Sequence, residues 1–125
     1  MVVEDNLVNQ KITNFMLKKL NAIVSSAMDG NEAVALLRHN NYDVVLMDLQ
    51  MPGMDGFATT EYIRQQLHSN VPVIAVTADI FVNETSDYLD AGMNACICKP
   101  FEANALGEMI LGLVNVNHLA SNQAV

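Results

Sequence analysis

Five polar side chains, which include three carboxylates, follow four short apolar runs of the sequence: Glu4, Asp5, Asp48, Thr77 and Lys99. If the runs are neighbouring strands, these side chains meet at one edge of a sheet. Three carboxylates held close together repel one another, so the cluster is costly unless a cation compensates it. Oxygen ligands suit a hard divalent ion, so the pattern predicts Mg²⁺ rather than zinc.

The same residues fit the transfer of a phosphoryl group. Lys99 offers a compact positive charge for a phosphate oxygen, and the Thr77 hydroxyl can donate one hydrogen bond. A carboxylate nucleophile such as Asp48 needs a metal ion and an ammonium group to neutralise the charge on the group it attacks. The set therefore favours chemistry through an aspartyl phosphate.

Each residue alone also has an ordinary structural interpretation. Glu4-Asp5 or Asn6 could cap a helix N-terminus. Asp48 could end a strand and cap a loop, and Lys99 could be a solvated turn residue. The joint placement of these residues at four successive strand ends favours a functional site.

The composition suits one folded domain. The chain has 125 residues, of which 51% are hydrophobic and 16% are charged, with a net charge of −8. An acidic domain with six Lys+Arg is a poor candidate for binding nucleic acid or anionic lipid. No signal peptide or membrane-spanning stretch is evident. Cys96 and Cys98 are expected to be free thiols in a reducing cytosol.

Apolar runs alternate with amphipathic segments five times along the chain. The predicted strands are Val2–Val3, Ala22–Val24, Asp43–Asp48, Val71–Thr77 and Ala95–Cys98. The predicted helices are Leu7–Leu20, Glu32–Asn40, Phe57–Leu67, Asn83–Ala91 and Glu102–Val114. This order predicts a parallel sheet with helices on both faces, with ligands bound beyond the carboxyl ends of the strands. Residues 1–114 would form the domain and residues 115–125 a C-terminal tail.

Four segments carry a family resemblance: Val2-Val3-Glu4-Asp5-Asn6, the run Met-Asp-Leu-Gln-Met-Pro-Gly-Met-Asp-Gly from Met47, Ala75-Val76-Thr77-Ala78, and Ala91-Gly92 followed by Lys99-Pro100-Phe101. In this order, and over nearly the whole chain, they resemble the receiver domain of two-component response regulators. The resemblance implies an α/β fold in which a doubly wound, five-stranded parallel sheet has the strand order 2-1-3-4-5 and five helices surround it.

The resemblance also implies a role for each site residue. Asp48 would be the phosphoacceptor, and Asp5 and Asp48 would ligate Mg²⁺ directly. Glu4 would act mostly through water, and the main-chain carbonyl of Gln50 would be a further ligand.

The Thr77 hydroxyl and the Lys99 ammonium would hold the phosphoryl oxygens, with a cis bond between Lys99 and Pro100. The donor in this family is a phosphohistidine on a histidine kinase or a histidine phosphotransfer domain. In such a relay the domain promotes its own phosphorylation and dephosphorylation but is not a stand-alone enzyme. Binding of nucleic acid and direct membrane contact are not expected.

Three further patterns, Asn6-x-x-Asn9-Gln10, Gly30-Asn31-Glu32-Ala33 and Gly92-Met93-Asn94-Ala95, are similar to receivers fused to hybrid sensor histidine kinases. The parent chain would then be a cytoplasmic or membrane-bound hybrid kinase, and this domain would lie in the cytoplasm. Homodimerisation, which occurs in some relatives, stays open. One position departs from the family, because Cys96 stands where Tyr or Phe is usual.

Two other interpretations compete with the receiver. A Mg²⁺-dependent aspartyl-phosphate phosphohydrolase typically needs a second Asp two residues after the nucleophile, and Gln50 occupies that position. The second alternative is an interaction module that is never phosphorylated, and the complete set of site residues argues against it.

Overall fold

The computed structural model describes residues 1–51, 53–78 and 86–123, with side chains as far as residue 114. Strands and helices alternate along the described chain. The strands are β1 (Val2–Val3), β2 (Ser26–Ala27), β3 (Val45–Asp48), β4 (Val73–Thr77) and β5 (Ala95–Cys98). The helices are α1 (Leu7–Lys19), α2 (Gly30–His39), α3 (Gly56–Gln65), α4 (Asp87–Asp90) and α5 (Ala103–Gln123).

All five strands pair in parallel, in the order β2-β1-β3-β4-β5, which confirms the predicted topology. Every residue of β1, β3 and β4 is buried, because helices cover both faces of the sheet. Alternate residues therefore enter two different cores: Val3 and Met47 face one core, and Val2 and Leu46 face the other. The three central strands are in this way fixed in register and direction.

The prediction of the second strand is wrong. The sequence pattern favours Ala22–Val24, whereas β2 is formed by Ser26 and Ala27. The backbone N–H of Ala22 donates to Leu17 O at 3.0 Å and so closes the end of α1. The side chain of Ile23 is fully exposed. Three consecutive apolar residues were too short a pattern to separate a strand from the turn that precedes it.

Two helices also differ from their predicted bounds by more than two residues. The described part of α4 is the four-residue segment Asp87–Asp90, and residues 83–85 of the predicted helix lie outside the described residues. Helix α5 does not stop at Val114 but continues to Gln123, so most of the predicted tail is helical. Among the described residues, no helix is long and apolar enough to span a bilayer.

Arg64 in α3 joins two loops at the end of the sheet opposite the strand carboxyl ends. Its guanidinium donates to Gly92 O at 3.0 Å, to Ser69 O at 2.9 Å and to Asn94 Oδ1 at 3.0 Å. Asn94 Oδ1 also accepts from Val73 N, at the start of β4. Gly92 has a φ of 97°, a conformation that favours glycine and lets the loop fold around the arginine. The half-buried guanidinium thus ties α3 to the segments that lead into β4 and β5.

We predict that Arg64→Met lowers the free energy of unfolding by roughly 2–3 kcal/mol, because two main-chain carbonyls lose a charged donor. Arg38→Met is the matched control, since Arg38 makes an exposed hydrogen bond to Tyr62 Oη and should cost less than about 1 kcal/mol. Urea denaturation of both variants measures the difference. An equal loss of unfolding free energy in the two variants would show that the three hydrogen bonds of Arg64 stabilise the fold no more than an exposed one.

Candidate functional site

The predicted polar residues do meet at the carboxyl edge of the sheet. One carboxylate oxygen from each of Glu4, Asp5 and Asp48 lies within 4.8 Å of the others. The Lys99 ammonium Nζ lies 3.0 Å from Glu4 Oε1 and 3.9 Å from Asp48 Oδ2. Glu4 and Asp48 are buried, with 4% and 6% of their surfaces exposed. The structure therefore gathers three acidic groups and one ammonium into a single cluster.

The first acidic pair is held by the end of β1. The backbone N–H of Glu4 donates to Ala27 O at 3.0 Å and so prolongs the pairing with β2 by one residue. The N-cap of α1 is Asn6, whose Oδ1 accepts from Asn9 N at 3.0 Å. The alternative in which Glu4-Asp5 caps this helix is therefore wrong, and both carboxylates are left for the site.

Asp48 is the last residue of β3, and the first residue of α3 packs directly against its main chain. Gly56, the first residue of α3, packs so closely that an added Cβ would lie 2.5 Å from Asp48 O and 3.0 Å from Leu49 Cα. Only glycine lets α3 begin at this point. The Asp48 carboxylate is oriented locally, because its Oδ1 accepts a hydrogen bond from the backbone N–H of Gln50 at 3.1 Å.

Thr77 and Lys99 complete the edge of the sheet. Thr77 is 1% exposed and follows Val76, the residue of β4 that pairs with Asp48. Its carbonyl accepts from Lys99 N at 2.7 Å, which draws the end of β5 against the end of β4. The bond between Lys99 and Pro100 is cis, as expected.

The pKa values of the two buried carboxyl groups, Asp48 and Glu4, are shifted in opposite directions. Burial, together with the neighbouring Glu4, raises the pKa of Asp48 to about 7. Burial would also raise the pKa of Glu4, but the neighbouring Asp48 carboxyl group and the Lys99 ammonium outweigh it and hold the Glu4 pKa below its usual range. Without metal, the pair therefore keeps one proton, on Asp48, up to nearly neutral pH.

The donor set fits a magnesium ion. It consists of carboxylate oxygens, the ligands that Mg²⁺ prefers. Glu4 Oε2 is buried and has no hydrogen-bond partner among the described residues, which is costly unless another group satisfies it. Glu4, Asp5 and Asp48 could hold the ion. The further contribution of the Gln50 carbonyl stays a prediction.

Sequence reasoning missed two contacts at this site. It assigned Lys99 to a phosphoryl oxygen, a role that stays a prediction, and did not foresee that the ammonium also contacts Glu4. It noted Gln10 only as part of a family pattern, yet this buried side chain bonds the Glu4 carbonyl. The sequence carried no clear signal for this contact, because the apolar spacing of α1 marks positions other than Gln10.

The two cysteines lie near the site in β5. Both are free thiols, with Cys96 buried and Cys98 half-buried. Burial raises the pKa of Cys96 to about 11, with a smaller contribution from Cys98. Cys96 therefore belongs to the core beside Met93 and is a poor nucleophile at neutral pH.

Comparison with known proteins agrees with this geometry. The sequence model of the response regulator receiver domain matches residues 1–111. The chain is 43% identical over 109 residues to the autoinducer 2 sensor kinase/phosphatase LuxQ of Vibrio harveyi, covering 86% of this chain and 13% of that protein. It is 36% identical over 110 residues to the sensor histidine kinase RcsC of Escherichia coli, covering 88% of this chain and 12% of that protein.

A solved structure shows the same likeness. The receiver domain of the sensor histidine kinase PA1611 from Pseudomonas aeruginosa superimposes with a TM-score of 0.83 at 36% identity, over 91% of this chain and 94% of that one. That domain holds a magnesium ion coordinated in its active-site cleft.

The chain is therefore a receiver domain of the response regulator family. Its relatives include hybrid sensor kinases, of whose length the chain spans about one-eighth.

The raised pKa of Asp48 predicts how stability depends on pH in the metal-free domain. The folded state binds the proton more tightly than the unfolded state, whose pKa is near 3.8. The resulting stabilisation is complete below pH 3.8 and is lost as the pH rises through 7. With a chelator present, the contribution of Asp48 to the free energy of unfolding should therefore fall between pH 5 and pH 7 by roughly 1–3 kcal/mol.

Asp48→Asn is the control, because the amide does not titrate. Relative to the wild type, Asp48→Asn should gain stability as the pH rises across the same range. This gain should level off above that range. Parallel pH profiles for the two proteins in urea denaturation would contradict the assignment of the proton to Asp48.

Proposed function

We propose that this receiver domain accepts a phosphoryl group on Asp48 from a phosphohistidine, in a reaction that requires Mg²⁺, and passes the signal on within a two-component phosphorelay. The observation that carries the proposal is the placement of one buried carboxylate, Asp48, between an ammonium 3.9 Å away and two further carboxylates. A carboxylate that only ended a strand would not need this arrangement.

Asp48 acts as the nucleophile. One of its oxygens forms a bond to phosphorus as the bond between phosphorus and the donor histidine nitrogen breaks. Gln50 N holds Oδ1 at 3.1 Å, so Oδ2, on the side of Lys99, is the oxygen that attacks. Thr77 and Lys99 then hold the oxygens of the transferred group, the first as a hydroxyl donor and the second as a charge.

Glu4, Asp5 and Asp48 hold the metal ion, with the Gln50 carbonyl as a further ligand. When bound, Mg²⁺ neutralises charge on the transferred group and orients it. The buried Glu4 Oε2 supports this assignment, because it has no hydrogen-bond partner in the described part of the chain.

The donor is a histidine kinase or a histidine phosphotransfer domain, and the parent chain is a hybrid histidine kinase. The likeness to LuxQ and RcsC over a small part of their length supports this proposal. Such a kinase, whether membrane-bound or soluble, presents this domain in the cytoplasm. The net charge of −8 supports partners other than nucleic acid.

We expect a small-molecule phosphodonor with Mg²⁺ to add one phosphoryl group to the wild-type chain, seen by intact mass. Asp48→Asn should remain unlabelled, because the amide cannot attack phosphorus. Asp55→Asn is the matched control, since Asp55 caps α3 outside the cluster and should label like the wild type. Equal labelling of the Asp48→Asn variant would falsify the assignment of the acceptor.

Lys99→Ala should separate metal binding from the response to phosphorylation. The variant keeps all three carboxylates, so Mg²⁺ affinity should stay within a few-fold of wild type, or tighten. Beryllium fluoride, which mimics the phosphoryl group, should no longer shift the amide resonances of β4 and β5, because its fluorines lose the ammonium. Lys18→Ala, on the exposed side of α1, is the control and should respond normally. Loss of Mg²⁺ binding in Lys99→Ala would contradict this division of roles between the lysine and the carboxylates.

A further inference from the structure

Gln10 is a polar residue on the side of α1 that faces the sheet. Only 7% of its surface is exposed, and Leu17 is the other buried residue of this helix. Its side-chain amide Nε2 donates to Glu4 O at 3.2 Å and to Ala27 O at 3.2 Å. The sulfur of Met28 lies 3.5 Å from the same nitrogen. Both amide hydrogens therefore have a main-chain carbonyl as acceptor.

These contacts brace the segment that carries the acidic pair. β1 contains two residues, so its pairing alone gives little restraint beyond Val3. Past that point, Glu4 N donates to Ala27 O, and Gln10 joins the carbonyls of the same two residues. The main chain of Glu4 is thus held at its N–H by β2 and at its carbonyl by α1.

We propose that Gln10 is a positioning residue that sets the affinity of the site for a divalent cation by fixing the backbone of the acidic turn Glu4-Asp5. This inference deepens the proposed function and rests on it. Gln10 does not touch the acidic side chains through any described contact. It acts through the carbonyl of Glu4.

The physical need for such a brace comes from like charge. Glu4, Asp5 and Asp48 repel one another, and a turn that can relax will move two of them away from the third. Magnesium requires near-octahedral ligand geometry, so a relaxed turn binds it less well. An apolar residue at position 10 would fill the same space without restraining the turn.

The test compares Gln10→Met with Asn14→Leu in a Mg²⁺ titration. Methionine matches glutamine in length but cannot donate a hydrogen bond. Asn14 lies one turn along the same helix and bonds Ser26 Oγ at 2.9 Å, so its loss also removes a contact between α1 and β2 but leaves the acidic turn alone. Affinity is measured by calorimetry, and stability by urea denaturation.

We expect Gln10→Met to raise the Mg²⁺ dissociation constant roughly 10-fold or more, in line with other residues that orient metal ligands. Asn14→Leu should bind like the wild type, even if both variants lose similar stability. In Gln10→Met the amide resonances of Glu4 and Asp5 should move most. An unchanged Mg²⁺ affinity in folded Gln10→Met, beside a wild type that binds Mg²⁺, overturns the inference alone. A wild type that binds no Mg²⁺ overturns the proposed function as well.

Gln10→Glu provides a second test should the methionine variant fail to fold. It has the same shape, adds negative charge near the site, and faces both carbonyls without a donor when ionised. Positioning predicts weaker Mg²⁺ binding at pH 8, whereas an effect of charge alone predicts tighter binding. Tighter binding would therefore reject the positioning role.

Discussion

The concentration of like charge at one edge of the sheet is the constraint on which the rest of the site depends. Glu4, Asp5 and Asp48 bring carboxylate oxygens within 4.8 Å of one another, two of them from buried residues. Carboxylates in water would not stay together in this way. The fold keeps them there because each belongs to a strand end, or to the turn after it, whose backbone is fixed by the parallel sheet. The position of each carboxylate is therefore set by the packing and the hydrogen bonds of the sheet, which outweigh the repulsion between the charges.

Close packing around the cluster also holds the three carboxylates in place. Gly56 lets α3 begin directly against the carbonyl of Asp48, and Gln10 braces the turn on the other side. The ammonium of Lys99 offsets part of the charge and is the one cation within 4.0 Å of these carboxylates in the described residues. These contacts restrain the backbone around the acidic groups and offset part of their charge, so the site is partly preorganised.

Much of this arrangement could be predicted from the sequence, since a polar residue that ends a buried apolar run must lie at the carboxyl edge of a parallel sheet. That rule located Asp48, Thr77 and Lys99 from the order of residues alone. The prediction of the strand itself failed for β2, because the three apolar residues Ala22–Val24 carried no periodicity. The strand is formed by Ser26–Ala27 instead. The pairing of Lys99 with Glu4 could not be predicted either, because periodicity places residues at an edge but does not say which of two neighbouring carboxylates an ammonium contacts.

Helix α1 shows a further limit of pattern reasoning. The apolar residues that mark it as a helix include Val8, Ile12 and Phe15, yet each has more than half of its surface exposed, at 66%, 51% and 61%. Helical spacing identified the element correctly but not the face that it buries. The buried residues of α1 are Leu17 and Gln10, and Gln10 supplies a donor to the carbonyl of Glu4 at the point where a two-residue strand ends. A hydrogen-bonding need of the neighbouring backbone, rather than hydrophobicity, decides which residue belongs there.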